Sequence, residues 1–422
     1  MSRMPFKIVV FNVKYSENLG DGILAFCIEH GLSQTGGGIE VETVDLAGRR
    51  GFGGASSSRR RHLLKLLQRL PKPARRLAVG FVVRRALRRQ RGEWERKIAA
   101  ADAVVIGGGN LFQDDDLNFP LKIGAVLDCV RRFDRPLAIY AVGVSSDWSE
   151  PARRLFARIG GVRLLHVSVR DRFAYESWRR HFPAGPVPDI IPDPGLLIAQ
   201  IADTTRGPSA GKTVAICITE PVVLTRHASQ TGPIPLGDAA GYRKLVNALI
   251  EDGFSVMLFC NGATEDHIFA RTIVNDGSMV RHLTSGVLHL ADRPADVAEL
   301  LRLLNAADAI VSHRLHACIA AYSLRIAHVG LGWDKKVEGF FRSVGREAYF
   351  VDEEHVLVSE IPALVKAALA QGIDQERYKL TMDCAETGMR RLRFALRPGL
   401  ISEYPMSEDV RGIAAAPCSI PY

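Results

Sequence analysis

Short runs of β-branched and aliphatic residues alternate along the chain with longer stretches of helical periodicity. Residues 7–13 (KIVVFNV) read as a buried strand, 17–32 as a helix and 41–46 as a second strand. After a basic helical stretch, 103–106 (AVVI) forms a strand that ends in Gly107, Gly108 and Gly109. A helix over 119–132 precedes strands at 137–144, 164–169 and 189–191. Residues 200–212 are polar, with Gly and Pro, and read as a linker. A second series has strands at 213–219, 254–260, 287–290, 309–312, 326–330 and 348–351. Its helices fall near 239–252, 265–276, 294–306, 314–323, 336–343 and 357–371. Continuous apolar runs separated by amphipathic helices predict doubly wound, largely parallel sheets.

Two Rossmann-like halves of similar size predict an α/β protein of GT-B-type architecture with an interdomain cleft, in which ligands lie beyond the carboxyl ends of the strands. The expected domains are 1–200, carrying a basic helical insertion at about 55–98, and 213–373. A C-terminal helix and tail at 374–422 follow, the stretch 374–395 crossing back to the first domain.

Charge changes this picture in one place. Lys and Arg number 55 against 46 Asp and Glu, a net charge of +9. Residues 59–91 hold thirteen Arg or Lys and no acid, so the remainder carries 42 basic and 46 acidic residues, or −4. Leu63, Leu64, Leu66, Leu67 and Leu70 form an apolar stripe beside Arg60, Arg61, Lys65 and Arg69. Such a helix reads either as docked on its own domain with a solvated basic face, or as contacting an anionic membrane or a lipid-linked substrate. Nucleic acid is not expected, since aromatics are not interleaved and no binding motif is present. No run of 18 apolar residues exists and 8–11 is too short for a signal-peptide core. The expected location is therefore the cytosol; on the second of the two readings of 59–91, the protein would also touch the inner face of the membrane. Seven scattered cysteines without a CxxC pair or zinc spacing fit reduced, buried thiols, and no metal site is expected.

Candidate chemistry sits at strand ends. Asn18-Leu19-Gly20-Asp21 follows the first strand, where Gly20 permits a tight turn and Asn18 or Asp21 can cap a helix whose N-terminus faces an anion. Gly107, Gly108 and Gly109 let a ligand approach the backbone and offer an anion nest, without a dinucleotide fingerprint. The Asp114–Asp116 run reads as a solvated acidic loop rather than a metal site. Arg170, in Val169-Arg170-Asp171, can clamp a phosphate or carboxylate, or pair with Asp171. Ser312-His313-Arg314-Leu315-His316 places Arg314 and His316 where a helix begins, making His316 either a general acid or base or a structural histidine. Trp333-Asp334-Lys335-Lys336 brings another cation to the same edge. Arg170, Arg314, Lys336 and His316 together point to a small, doubly anionic substrate. No Walker, HExxH or Ser-His-Asp pattern accompanies them.

The order of these motifs resembles the polysaccharide pyruvyltransferase family: NLGD (18–21), GGGNLF (107–112), VRD (169–171), DPGLLI (193–198), ATED (263–266), SHRLHACIAA (312–321) and GWDKKVEGFF (332–341). The resemblance covers roughly 7–345. It implies a GT-B-like fold and transfer of pyruvate from phosphoenolpyruvate, as donor substrate without a further cofactor, to a saccharide acceptor. The product is a ketal on a cell-surface polysaccharide or its lipid-linked precursor. It implies His316 as the acid, Arg170 and Lys336 as catalytic or phosphoenolpyruvate-binding, and Arg314 as a further anion ligand. Asp21 and Asp266 are secondary candidates for orienting the acceptor. Lys335 stands where proline is common and Trp333 where tyrosine is common; the basic segment is an insertion whose role is not inherited. A nucleotide-sugar glycosyltransferase on the same fold, and a non-catalytic polysaccharide-assembly protein, remain the competing readings.

Overall fold

The computed structural model describes residues 5–34, 38–53, 71–202, 212–227, 234–352 and 357–397. The apolar helix expected over 63–70 lies outside them. The chain divides into two compact units. One contains the residues up to Tyr15, Leu24–Pro194 and the described chain from Cys384; the other contains Ser16–Ile23 and Gly195–Asp383.

In chain order the first half runs β1 (Phe6–Asn12), α1 (Leu19–Ser33), β2 (Ile39–Asp45), α2 (Lys72–Ala100), β3 (Ala103–Gly107), α3 (Asn118–Arg132), β4 (Leu137–Val142), α4 (Glu150–Phe156), β5 (Leu164–Val169), α5 (Arg172–His181) and β6 (Asp189–Ile190). The second runs β7 (Thr213–Ile218), α6 (Pro221–His227), α7 (Ala239–Glu251), β8 (Ser255–Cys260), α8 (Thr264–Val274), α9 (Gly277–Thr284), β9 (Leu288–Leu290), α10 (Val297–Asn305), β10 (Ala309–Ser312), α11 (Leu315–Ser323), β11 (Ala327–Leu331), α12 (Lys335–Ser343) and β12 (Phe350–Val351). Two helices, α13 (Ile361–Gln371) and α14 (Gln375–Leu396), close the series.

Each unit carries one six-stranded sheet, and all the described strand pairings are parallel. The first sheet has the order β2-β1-β3-β4-β5-β6 and the second β12-β11-β10-β7-β8-β9. The second is the strand order of a dinucleotide-binding Rossmann sheet, read from β7 outward. Each order reverses direction once, between β1 and β3 in the first sheet and between β7 and β10 in the second. Crevices at such reversals, beyond the carboxyl ends of the strands, are where open α/β sheets bind ligands.

The central strands are apolar because helices cover both faces. Every residue of β3, β4 and β10 is buried. In the first unit Trp94 and Trp178 join this core, Trp94 meeting Phe11 edge-on at 5.4 Å. Aspartates cap the helices that leave the strands: Asp171 accepts from the Ala174 N–H at 2.7 Å, and Asp334 from the Lys336 N–H at 2.9 Å. Cys27, Cys129, Cys217, Cys260 and Cys318 are free and buried, as expected. Cys384 is disulfide-bonded, against the expectation of reduced thiols throughout. Spacing along the chain did not exclude a bridge, because it does not report how close two Cα atoms come in the fold. Among the described residues no helix is long and apolar enough to cross a membrane.

Candidate functional site

In the second unit the motif residues converge on the strand reversal. Strand β10 ends at Ser312, and α11 begins three residues later with Arg314 at its N-cap position and His316 in its first turn. The turn is held from below: the Arg314 N–H donates to Ser312 Oγ at 2.9 Å, and the neutral His313 ring bridges the Pro235 carbonyl (2.8 Å) and the Tyr242 hydroxyl (3.2 Å). Burial pushes the His313 imidazole down to about 4. It is therefore a structural support beneath the motif.

Residues 16–23, which run into the start of α1, belong to this second unit. The Leu19 N–H donates to the Asn261 carbonyl at 2.9 Å, and Asn261 Nδ2 donates to Asn18 Oδ1 at 2.6 Å. The Asn18 side chain is thus an anchor to the end of β8. Its neighbour Gly20 lies flat against the catalytic candidate: a Cβ added there would stand 2.5 Å from His316 Cβ and 2.6 Å from His316 Nδ1. No side chain fits between them. Asp21 follows in the first turn of α1, half-buried.

Arg314 and Asp266 form a buried ion pair through Arg314 Nη2 and Asp266 Oδ2. Asp266 is 0% exposed, and its other oxygen accepts from the Glu220 N–H at 2.9 Å. Burial alone would pull the guanidinium down, but Asp266 outweighs it and holds Arg314 above its ordinary value. Lys336 lies in the first turn of α12, after β11, the strand directly paired with β10. Its ammonium sits 4.2 Å from the centre of the Trp333 ring, and Trp333 Nε1 donates to the His313 carbonyl at 2.7 Å. The tryptophan therefore links the lysine to the His316 turn.

The first unit holds the remaining candidates. Arg170 follows β5 and is nearly buried, with Asp171 at 3.2 Å and Asp193 at 4.0 Å. A Cβ on Gly143, beyond β4, would meet Asn110 Oδ1 at 2.6 Å and Arg170 Nη2 at 3.0 Å. Arg170 and Asn110 thus face the same backbone. Gly107, Gly108 and Gly109 leave β3 at the reversal, and Gly108 and Gly109 both have positive φ. The Gly108 N–H is already bonded to the Tyr140 carbonyl at 3.0 Å, and a Cβ there would press on Leu24 and Ile28 of α1. Gly108 thus serves strand exit and helix packing and is not a free donor for an anion. The acidic loop is neutralised rather than solvated: Asp116 pairs with Arg75 and Asp114 with Arg76, both from the first turn of α2. Among the described residues no group of three or more His, Cys, Asp or Glu is placed to hold a metal.

Sequence reading met Asn110 only within the GGGNLF motif and did not single out Asn261. The signal that could have found Asn261 is its position directly after the apolar run of β8, the same strand-end placement that marks Arg170 and His316.

Two Rossmann-like units in succession, with charged side chains gathered at strand ends, define a GT-B-type α/β protein. The family model for polysaccharide pyruvyl transferase matches residues 18–335, most of the chain, and the protein belongs to that family. Among solved structures, the putative UDP-N-acetylglucosamine 2-epimerase of Listeria monocytogenes is 11% identical, with 96% of this chain and 99% of that one covered at a TM-score of 0.52. The UDP-GlcNAc 2-epimerase of Methanocaldococcus jannaschii is 12% identical, covering 93% and 99% at 0.51. That of Neisseria meningitidis, bound to UDP-GlcNAc, is 12% identical, covering 92% and 99% at 0.51. At these identities the likeness is one of fold. No curated protein matches the chain. Family membership and fold therefore agree on a transferase-family chain of GT-B-type architecture.

Proposed function

We propose that the protein transfers a pyruvyl group from phosphoenolpyruvate to two hydroxyls of a sugar in a cell-surface polysaccharide or its lipid-linked precursor, closing a ketal. Family membership motivates this reading. The observation that carries it is the contact of Gly20 with His316 at the start of α11, one strand away from Lys336. It positions an imidazole at the end of β10, and Lys336 follows the neighbouring strand β11; both supply groups suited to an anionic substrate.

In this mechanism His316 donates a proton to C3 of phosphoenolpyruvate, and C2 acquires oxocarbenium character. One sugar hydroxyl bonds to C2 and loses its proton. The second hydroxyl then bonds to C2 as the C2–O bond to phosphate breaks; its proton leaves with inorganic phosphate, and the proton of the first hydroxyl replaces the one His316 gave up. We assign Lys336 to the anionic charge of the substrate; Arg170, in the first unit, keeps the anion-binding role that the family motif implies. Asp266 is too deeply buried to orient an acceptor, so we assign it, with Arg314, to holding the turn that presents His316. Asp21 keeps the acceptor-side role.

The fold likeness to UDP-GlcNAc 2-epimerases favours a second reading, a nucleotide-sugar donor on the same architecture. Thermal shift distinguishes the two. Phosphoenolpyruvate should raise the melting temperature of the wild type and not of Lys336→Ala. A shift with UDP-sugars and none with phosphoenolpyruvate would transfer the assignment to the second reading.

A further inference from the structure

Helix α2 has one face that its own domain does not use. It runs 29 residues, about 43 Å at 1.5 Å per residue. Val83, Trp94 and Ile98 are buried on the inner side. Leu77, Phe81 and Val82 are 75%, 70% and 46% exposed. At about 100° per residue, Leu77, Phe81, Arg84, Arg88 and Arg91 share an arc of roughly 80° on the outer face, with Arg85 and Arg89 following round one side of it. A helix docked on its domain normally turns polar residues outward; this one turns outward large apolar side chains set among arginines. Among the described residues, Arg84, Arg85, Arg88 and Arg89 have no ion-pair partner, whereas Arg75 and Arg76 are tied to Asp116 and Asp114.

Arg91, farther along the same stripe, lines an open cavity of about 540 Å³ with Asp128, Arg131, Arg132 and Arg158. Arg91 and Arg132 share Glu95, at 3.0 and 2.9 Å, and Arg158 holds Asp128 at 2.6 Å. Arg131 stands 3.8 Å from the same Asp128. Four guanidinium groups therefore meet two carboxylates, leaving this end of the face cationic.

We infer that the outer face of α2 docks on an anionic lipid bilayer, with Leu77 and Phe81 entering the headgroup boundary and the arginines, including those around the cavity, meeting lipid phosphates. Apolar side chains among arginines on one helix face are what an interfacial helix presents. A second copy of the chain is a poor occupant, because two such cationic faces repel. A nucleic acid would use the arginines but leave Leu77 and Phe81 in water. This surface is independent of the donor chemistry proposed above.

Sedimentation with phosphatidylglycerol-rich and with pure phosphatidylcholine vesicles tests it, using the full chain. Binding to the anionic vesicles alone is expected, and high salt should release it. Replacing Arg84, Arg85, Arg88 and Arg89 by Gln should weaken that binding by about 100-fold or more. Leu77→Ser with Phe81→Ser should weaken it by about 10-fold without changing the melting temperature, since both side chains are exposed. Equal binding to neutral vesicles, no binding to either, or variants that bind like the wild type would overturn the inference. So would loss of a dimer in the Leu77→Ser, Phe81→Ser variant, or preference for a DNA duplex over the vesicles.

Discussion

Between Gly20 and His316 there is room for a hydrogen and not for a methyl group. Gly20→Ala must push the imidazole or the loop aside, and displacements of about 1 Å at a reacting group can cost 100-fold. We expect turnover to fall by about 10- to 100-fold with the fold retained, measured as kcat beside a circular dichroism spectrum. Unchanged kcat would separate Gly20 from the chemistry. Asp266→Ala tests the assignment of the buried pair. Removing one partner of a buried ion pair costs about 3–5 kcal/mol, because the other charge is left uncompensated. Chemical denaturation should show the second unit losing stability on this scale, and an unaltered midpoint would contradict the pairing. The sequence placed His316, Arg170 and Lys336 at strand ends because an apolar run stops just before each of them. It did not show that Arg314 meets Asp266, 48 residues away, since nothing local records that partnership.

Strands were the legible elements. Covered on both faces, β1, β3, β7 and β10 are continuous apolar runs, and their expected positions agree with the structure to within a residue or so. Edge elements were less legible: 348–351 was expected as a strand, but only Phe350–Val351 pairs. Helix α9 was not anticipated at all, because its eight residues carry too few apolar repeats to stand out. The supports beneath these elements make a pH prediction. Burial holds His166 and His313 down to about 4 and His328 to about 3, against an ordinary value of 6.5. Each stays neutral when folded but takes a proton when unfolded in mildly acidic solution. Their contribution is complete above about pH 6.5 and is lost as pH falls through 4 and then 3. Thermal stability should therefore fall steadily below pH 6.5, and a flat profile down to pH 4 would contradict the buried, neutral state of these rings.

Across the whole molecule, the two parallel sheets and the GT-B-type class followed from the alternation of patterns along the chain. The different strand orders of the two sheets did not, because a local pattern does not say on which side of a sheet the next strand is added. For the same reason the early residues 16–23, which sequence order places with β1, belong instead to the unit that holds His316. The central claim is that this site consumes phosphoenolpyruvate. Its most direct test is phosphate release from phosphoenolpyruvate in the presence of a panel of lipid-linked or nitrophenyl sugars. The account predicts release that requires an acceptor and falls by about 100-fold or more in His316→Ala. Release that persists in His316→Ala would contradict the role of the histidine. No release with any acceptor, together with turnover of UDP-sugars, would contradict pyruvyl transfer itself.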